Sequence, residues 1–106
     1  MRKDTDMINS NEIERLAYEA VRDYVTVTRD KALYPSAQDF AQHFNIYTVW
    51  KCFILGNMKL LISTSLPDGK YYEATYDFGK DSLYLDVYVK IHNAEICNLD
   101  ERQSNS

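Results

Sequence analysis

The sequence predicts an α+β fold: an N-terminal amphipathic helix and a short second helix, followed by a four-stranded antiparallel β-meander. Apolar residues recur at three- and four-residue spacing from Ile13 to Tyr24, which is the period of a helix with one buried stripe. From Ile46 the period changes to two. Turn-forming clusters at Gly56-Asn57, Pro67-Asp68-Gly69 and around Gly79 then divide the rest of the chain into strands.

The elements follow in order. Asn9 with Glu12 has the spacing of a capping box and predicts the helix start. Ile13, Leu16, Ala17, Ala20, Val21 and Tyr24 form its apolar stripe, and the helix runs to about Val27. Glu12, Glu14, Arg15, Glu19, Arg22 and Asp23 read as a solvated face on which Glu19 can pair with Arg22. Thr28 to Pro35 is a connection, because Tyr34 before a proline is pushed away from helical geometry. Ser36 caps the second helix with Asp39 at its third position, and Phe40 and Phe44 share a face that can plug one end of a core.

Tyr47 to Leu55, Met58 to Leu66, Lys70 to Phe78 and Ser82 to His92 read as consecutive strands. Their short connections imply hairpins and hence a meander. The polar positions assign the faces. Tyr72, Ala74, Tyr76 and Phe78 point inward from the third strand, as do Met58, Leu60 and Ile62 from the second. In the fourth, Leu83, Leu85, Val87, Val89 and Ile91 form one face. In the first, a solvated Lys51 puts Trp50, Cys52 and Ile54 inside and Val49, Phe53 and Leu55 outside, although both of its faces are largely apolar. Residues 1–9 are expected to be frayed, 10–99 to form the one domain, and the polar stretch 100–106 to be disordered.

Composition narrows the function classes. Twelve basic against sixteen acidic side chains give a net charge of -4, and the isoelectric point is near 5.0. That balance disfavours sequence-independent nucleic-acid binding, which draws on a basic surface to displace counterions, and no direct sequence-specific nucleic-acid binding is expected either. It suits competition for a basic groove on another protein. Cys52 and Cys97 lie far apart and read as reduced thiols, in keeping with a cytoplasmic setting. No apolar run approaches the ~20 residues of a membrane span.

The outer sheet face is the candidate site. It would gather Phe53, Leu61, Tyr71, Tyr84 and Tyr88 with Glu73, Asp77, Asp86, Lys51 and Lys90. Tyrosines among acids on a rigid sheet suit a protein interface, with Tyr71, Glu73, Asp77, Tyr84, Asp86 and Tyr88 as the contact residues. The alternatives are an ordinary wet face with cross-strand pairs, burial by the second helix, or a homodimer through the same residues. Exposed aromatics on a sheet also suit single-stranded RNA, but the element order and the acidic balance oppose it.

Glu73, Asp77 and Asp86 lack the aspartate-rich loop of a cation site. His43 and His92 lie far apart in sequence with no accompanying ligands, and Cys52 reads as a core residue. No serine lies in a nucleophile-elbow context, and three glycines cannot form a phosphate loop. The expectation is a binding protein with no enzyme activity, no metal and no cofactor.

Several runs carry a resemblance. Val49-Trp50-Lys51-Cys52, Leu60-Leu61-Ile62-Ser63-Thr64, Asp68-Gly69-Lys70-Tyr71-Tyr72-Glu73-Ala74-Thr75-Tyr76 and Tyr84-Leu85-Asp86-Val87-Tyr88 give the words VWxC, LLxST, DGxYYExTY and YLDxY. They resemble a family of short uncharacterised proteins of phages and mobile elements of Gram-positive bacteria. The match covers about half the chain, and Arg29 to Phe44 fits it less well. The resemblance implies a genomic setting rather than an activity. Small acidic proteins of that setting are often inhibitors of host defence, anti-CRISPR proteins among them. The implied partner is a type II CRISPR-Cas nuclease or its guide RNA complex, inside the bacterial host. The alternative is a non-enzymatic adaptor or homodimeric accessory protein of the mobile element.

Overall fold

The computed structural model describes residues 8–90. The order is α1 (Ser10–Val27), α2 (Ala37–Ala41), β1 (Ile46–Ile54), β2 (Asn57–Thr64), β3 (Lys70–Asp77) and β4 (Ser82–Val89). The strands form one antiparallel sheet in the order β1-β2-β3-β4, so the α+β meander is as the sequence predicts. The expected fraying before Ile8, the polar tail, Ile91, His92 and Cys97 all lie outside the described residues.

Local chemistry sets the helix ends. The Asn9 side chain accepts from the Glu12 backbone N–H at 2.8 Å, and Ser36 does the same for Asp39 at 3.2 Å. Ile13, Ala17, Val21 and Val25 are buried along α1. They meet Met58, Leu60 and Ile62 of β2 and Tyr72, Ala74 and Tyr76 of β3 in one core. Helix α2 packs on α1; Phe40 from the helix and Phe44 from just beyond its end enter the same core, with their ring centroids 5.4 Å apart. The helix leaves the far face of the sheet uncovered, which removes burial by the second helix as an account of that face.

The face expected to be solvated on α1 is partly engaged. Arg15, not Arg22, pairs with Glu19, at 2.9 Å. The Arg22 guanidinium donates to the Ala41 carbonyl and lies 5.3 Å from the centre of the Phe44 ring, tying α1 to the end of α2. Glu14 accepts from the Thr48 hydroxyl at 2.5 Å, and Thr48 also bonds the Tyr18 hydroxyl at 2.7 Å. These contacts fasten α1 to β1.

The first strand differs from its expected facing. Its register against β2 shifts between Thr48 and Trp50, a bulge that places Val49 out of the ladder. Beyond the bulge the parity is reversed. Lys51 stands opposite Leu60 and reaches Glu14 at 3.7 Å, so it lies on the helix side. Phe53 stands opposite Met58 and stacks on Phe78 at 6.3 Å. Trp50, Cys52 and Ile54 therefore face outward, and Cys52 is half-buried opposite Lys59 instead of in the core. The cause is the carboxylate of Glu14, held beneath β1 by Thr48. A lysine can meet it while laying its methylene stem along the core edge.

The first turn is also displaced by one residue. Leu55 and Gly56, at φ 49° and 80°, are its central pair, between Ile54 and Asn57. Positive φ at both positions is the backbone of a type I′ hairpin turn.

Candidate functional site

The sheet has two unlike faces. One is roofed by α1, and no described element crosses the other. Antiparallel register aligns the residues of the open face in rows across the strands. Tyr47, Ser63, Tyr71 and Tyr88 form one row, and Trp50, Leu61, Glu73 and Asp86 the next. Cys52, Lys59, Thr75 and Tyr84 form the third. Tyr47, Trp50, Tyr84 and Tyr88 are each about half exposed, at 42–51%, and Tyr71 somewhat less.

The predicted contact residues divide accordingly. Tyr71 is paired with Tyr88, Glu73 with Asp86, and Tyr84 with Thr75, so these come together on one surface. Asp77 lies at its margin opposite Ser82. Its Oδ1 accepts from the backbone N–H groups of Gly79 and Lys80 at 2.9 and 3.2 Å, so it caps the β3–β4 turn. Phe53 and Lys51 leave the expected set for the helix side. Trp50, expected inside, joins the surface, and so does Tyr47, which the expected set did not name. The one signal for them was an apolar run on both faces of β1, which requires apolar side chains outside whichever parity holds.

The electrostatics centre on two opposed carboxylates. Like charges directly across an antiparallel pair repel and destabilise the sheet by a few tenths of a kcal/mol up to ~1. Lys59 relieves this in part, with its Nζ 3.4 Å from Glu73 Oε1. Among the described residues Asp86 has no cation within ion-pair distance. Two acids thus stand amid four tyrosines and the chain's one tryptophan. Among the described residues no three His, Cys, Asp or Glu side chains gather as a metal site. No described helix is long and apolar enough to cross a membrane.

This architecture is a sheet platform backed by one helix, with an acidic, tyrosine-lined open face. The chain belongs to a family of unknown function, DUF6275, whose model matches residues 14–98. The match runs from within α1 through all four strands, so it also takes in the stretch Arg29 to Phe44 that fitted the sequence words less well. No curated protein and no solved structure matches the chain.

Proposed function

We propose that the chain is a non-catalytic binding protein whose open sheet face docks on a basic surface of another protein. The Glu73–Asp86 opposition carries this reading. A repulsive pair in the otherwise regular β3–β4 ladder breaks a local rule of strand pairing, and such breaches cluster where a surface serves a partner. A lysine- or arginine-bearing partner would neutralise both acids, while the surrounding aromatic rings supply anchors that exclude water. Arginine would add stacking on the tyrosines.

The finer proposal is that the partner is a type II CRISPR-Cas nuclease, blocked at the basic channel that takes guide RNA or DNA. It rests on the resemblance to proteins of phages and mobile elements and on acidic charge, and it is the form most readily tested. Excess protein mixed with nuclease and guide RNA is expected to abolish DNA cleavage. Glu73→Gln with Asp86→Asn is expected to restore cleavage without lowering the melting temperature, since it also removes the like-charge opposition. Unchanged cleavage at excess wild-type protein would refute the nuclease as partner. The broader reading has its own test in sedimentation. If the chain is a dimer that Trp50→Ala with Tyr84→Ala dissociates, the face belongs to a second copy and the basic-partner reading fails.

A further inference from the structure

A cleft of about 270 Å³ opens on the helix side of the sheet, remote from the open face. Val25 from α1, Phe40 from α2 and Leu66 from the β2–β3 turn line it, together with Tyr34, whose ring is 4.8 Å from that of Phe40. Tyr72 of β3 also lines it, and Arg29, Asp30, Asp68 and Lys70 stand among its polar members. At ~30 Å³ per water in the liquid, the space corresponds to on the order of ten non-hydrogen atoms.

Tyr72 is the unusual member. It is 0% exposed, yet its hydroxyl has no hydrogen-bond partner among the described residues. Buried phenols normally find one, and an unsatisfied buried hydroxyl is destabilising. The neighbouring Tyr24 ring meets Tyr72 edge-on at 6.0 Å and offers no acceptor from its face. A phenylalanine would fill the same place without that penalty. The hydroxyl therefore calls for a use.

The charges around the cleft fix the kind of acceptor. Arg29 is held by the carbonyls of Thr26 and Tyr34, both at 2.6 Å, and of Pro35 at 3.2 Å. Its guanidinium thus serves the loop. Lys70 lies 6.0 Å from the centre of the Tyr24 ring. Asp30 and Asp68 oppose these two cations on the same lining, so the formal charge there sums to zero. Asp68 also acts on the phenol. Burial first, then the Asp68 charge and Tyr24, push its pKa from 10.0 up to about 12. A group next to Asp68 is a poor place for a second anion but a good neutral donor.

We propose that this cleft binds a small, uncharged, mainly apolar molecule that presents one acceptor, a carbonyl or a ring nitrogen, to the Tyr72 hydroxyl. Apolar walls give the body of such a molecule its burial, and the phenol gives its orientation. The site is independent of the open sheet face, so failure of either reading leaves the other standing.

The test is a titration of the ¹⁵N-labelled protein with benzamide, benzoate and toluene, followed by amide chemical shifts. Benzamide is expected to give saturable shifts confined to residues 25–30, 66–72 and the start of α2. Tyr72→Phe, which keeps the ring in the core, is expected to weaken benzamide about tenfold. Benzoate should bind more weakly than benzamide, and Asp68→Asn should narrow that difference. Absence of saturable benzamide shifts would overturn the proposal. So would equal affinity in Tyr72→Phe, or toluene binding as well as benzamide, since the hydroxyl would then serve an ordered water only. Benzoate binding more tightly than benzamide would overturn the uncharged class.

Discussion

Replacing Tyr72 by phenylalanine tests the core and the cleft together through pH. The phenol's pKa is about 12 in the folded chain against 10.0 as the reference. The folded state therefore holds its proton more tightly than the unfolded state, and the native stabilisation is complete below pH 10. As pH rises through 10 towards 12 the unfolded chain loses the proton first, so stability falls. Two pKa units correspond to roughly 3 kcal/mol at the limit. At pH 11, midway between the two values, the loss is on the order of 1 kcal/mol. Tyr72→Phe lacks this titration, whereas the remaining tyrosines and lysines titrate alike in both proteins. At pH 7 the variant should equal or exceed wild type by up to ~1 kcal/mol, because an unsatisfied hydroxyl is removed. Urea midpoints measured from pH 7 to pH 11 should diverge, with the wild type falling by a further ~0.3–1 M at an ordinary denaturant slope. Parallel curves would refute the reasoning, since they would mean that Tyr72 titrates like a hydrated phenol. A variant markedly less stable at pH 7 would equally show that the hydroxyl has a partner.

Further predictions concern β1 and its neighbours. The chain's one tryptophan, Trp50, is 42% exposed on the open face. Its fluorescence should be red-shifted and quenched by acrylamide, and the emission should move to the blue when a partner covers the face. A blue emission from the isolated chain would return Trp50 to the interior. Thr48→Val removes the hydroxyl that joins Tyr18 to Glu14. It should cost about 1–2 kcal/mol, seen as a melting temperature lowered by roughly 4–8 °C per kcal/mol. Leu55 adopts φ 49° with its side chain 98% exposed. Leu55→Asn should raise thermal stability by up to ~1 kcal/mol, because asparagine tolerates the left-handed region. An unchanged or lower melting temperature would show that the leucine is held there by contacts.

Much of this fold is written in local signals. Asn9 and Ser36 cap helices through bonds three residues away, and Pro67-Asp68-Gly69 closes a hairpin through its own backbone preference. Both need no knowledge of the rest of the chain. The facing of β3 and β4 was equally legible, because each alternates clear polar with clear apolar residues. The facing of β1 was not. Val49-Trp50-Lys51-Cys52-Phe53 offers one charge as its only cue, and that charge misleads unless the bonding of Glu14 is known. Glu14 is separated from Thr48 by 34 positions, so the information that settles the strand is tertiary. The candidate surface inherited the same split. Tyr71, Glu73, Tyr84, Asp86 and Tyr88 were visible from alternation, and Tyr47 shares the parity expected to face outward, while Trp50 needed the bulge.

The bulge at Val49 also bears on what the open face can do. Without it, one parity would run through β1, and Tyr47 with Trp50 could not both face outward. An uninterrupted strand facing as Thr48 does would turn Trp50 towards α1 and Lys51 towards solvent. The open face would then lose its aromatic at the row of Glu73 and Asp86. The inserted residue keeps Thr48 on Tyr18 and Glu14, delivers Lys51 to the same carboxylate, and turns Trp50 into line with Leu61, Glu73 and Asp86. One irregularity thus satisfies a half-buried acid on the helix side and completes the row on the open side. Bulges recur where a strand must re-aim a side chain for function. Their edge position serves a second end, since a kinked β1 is a poor template for pairing with another chain's strand. Under the proposed reading, a partner would be steered away from the β1 edge and onto the face, where the aromatic rings and the two opposed acids stand.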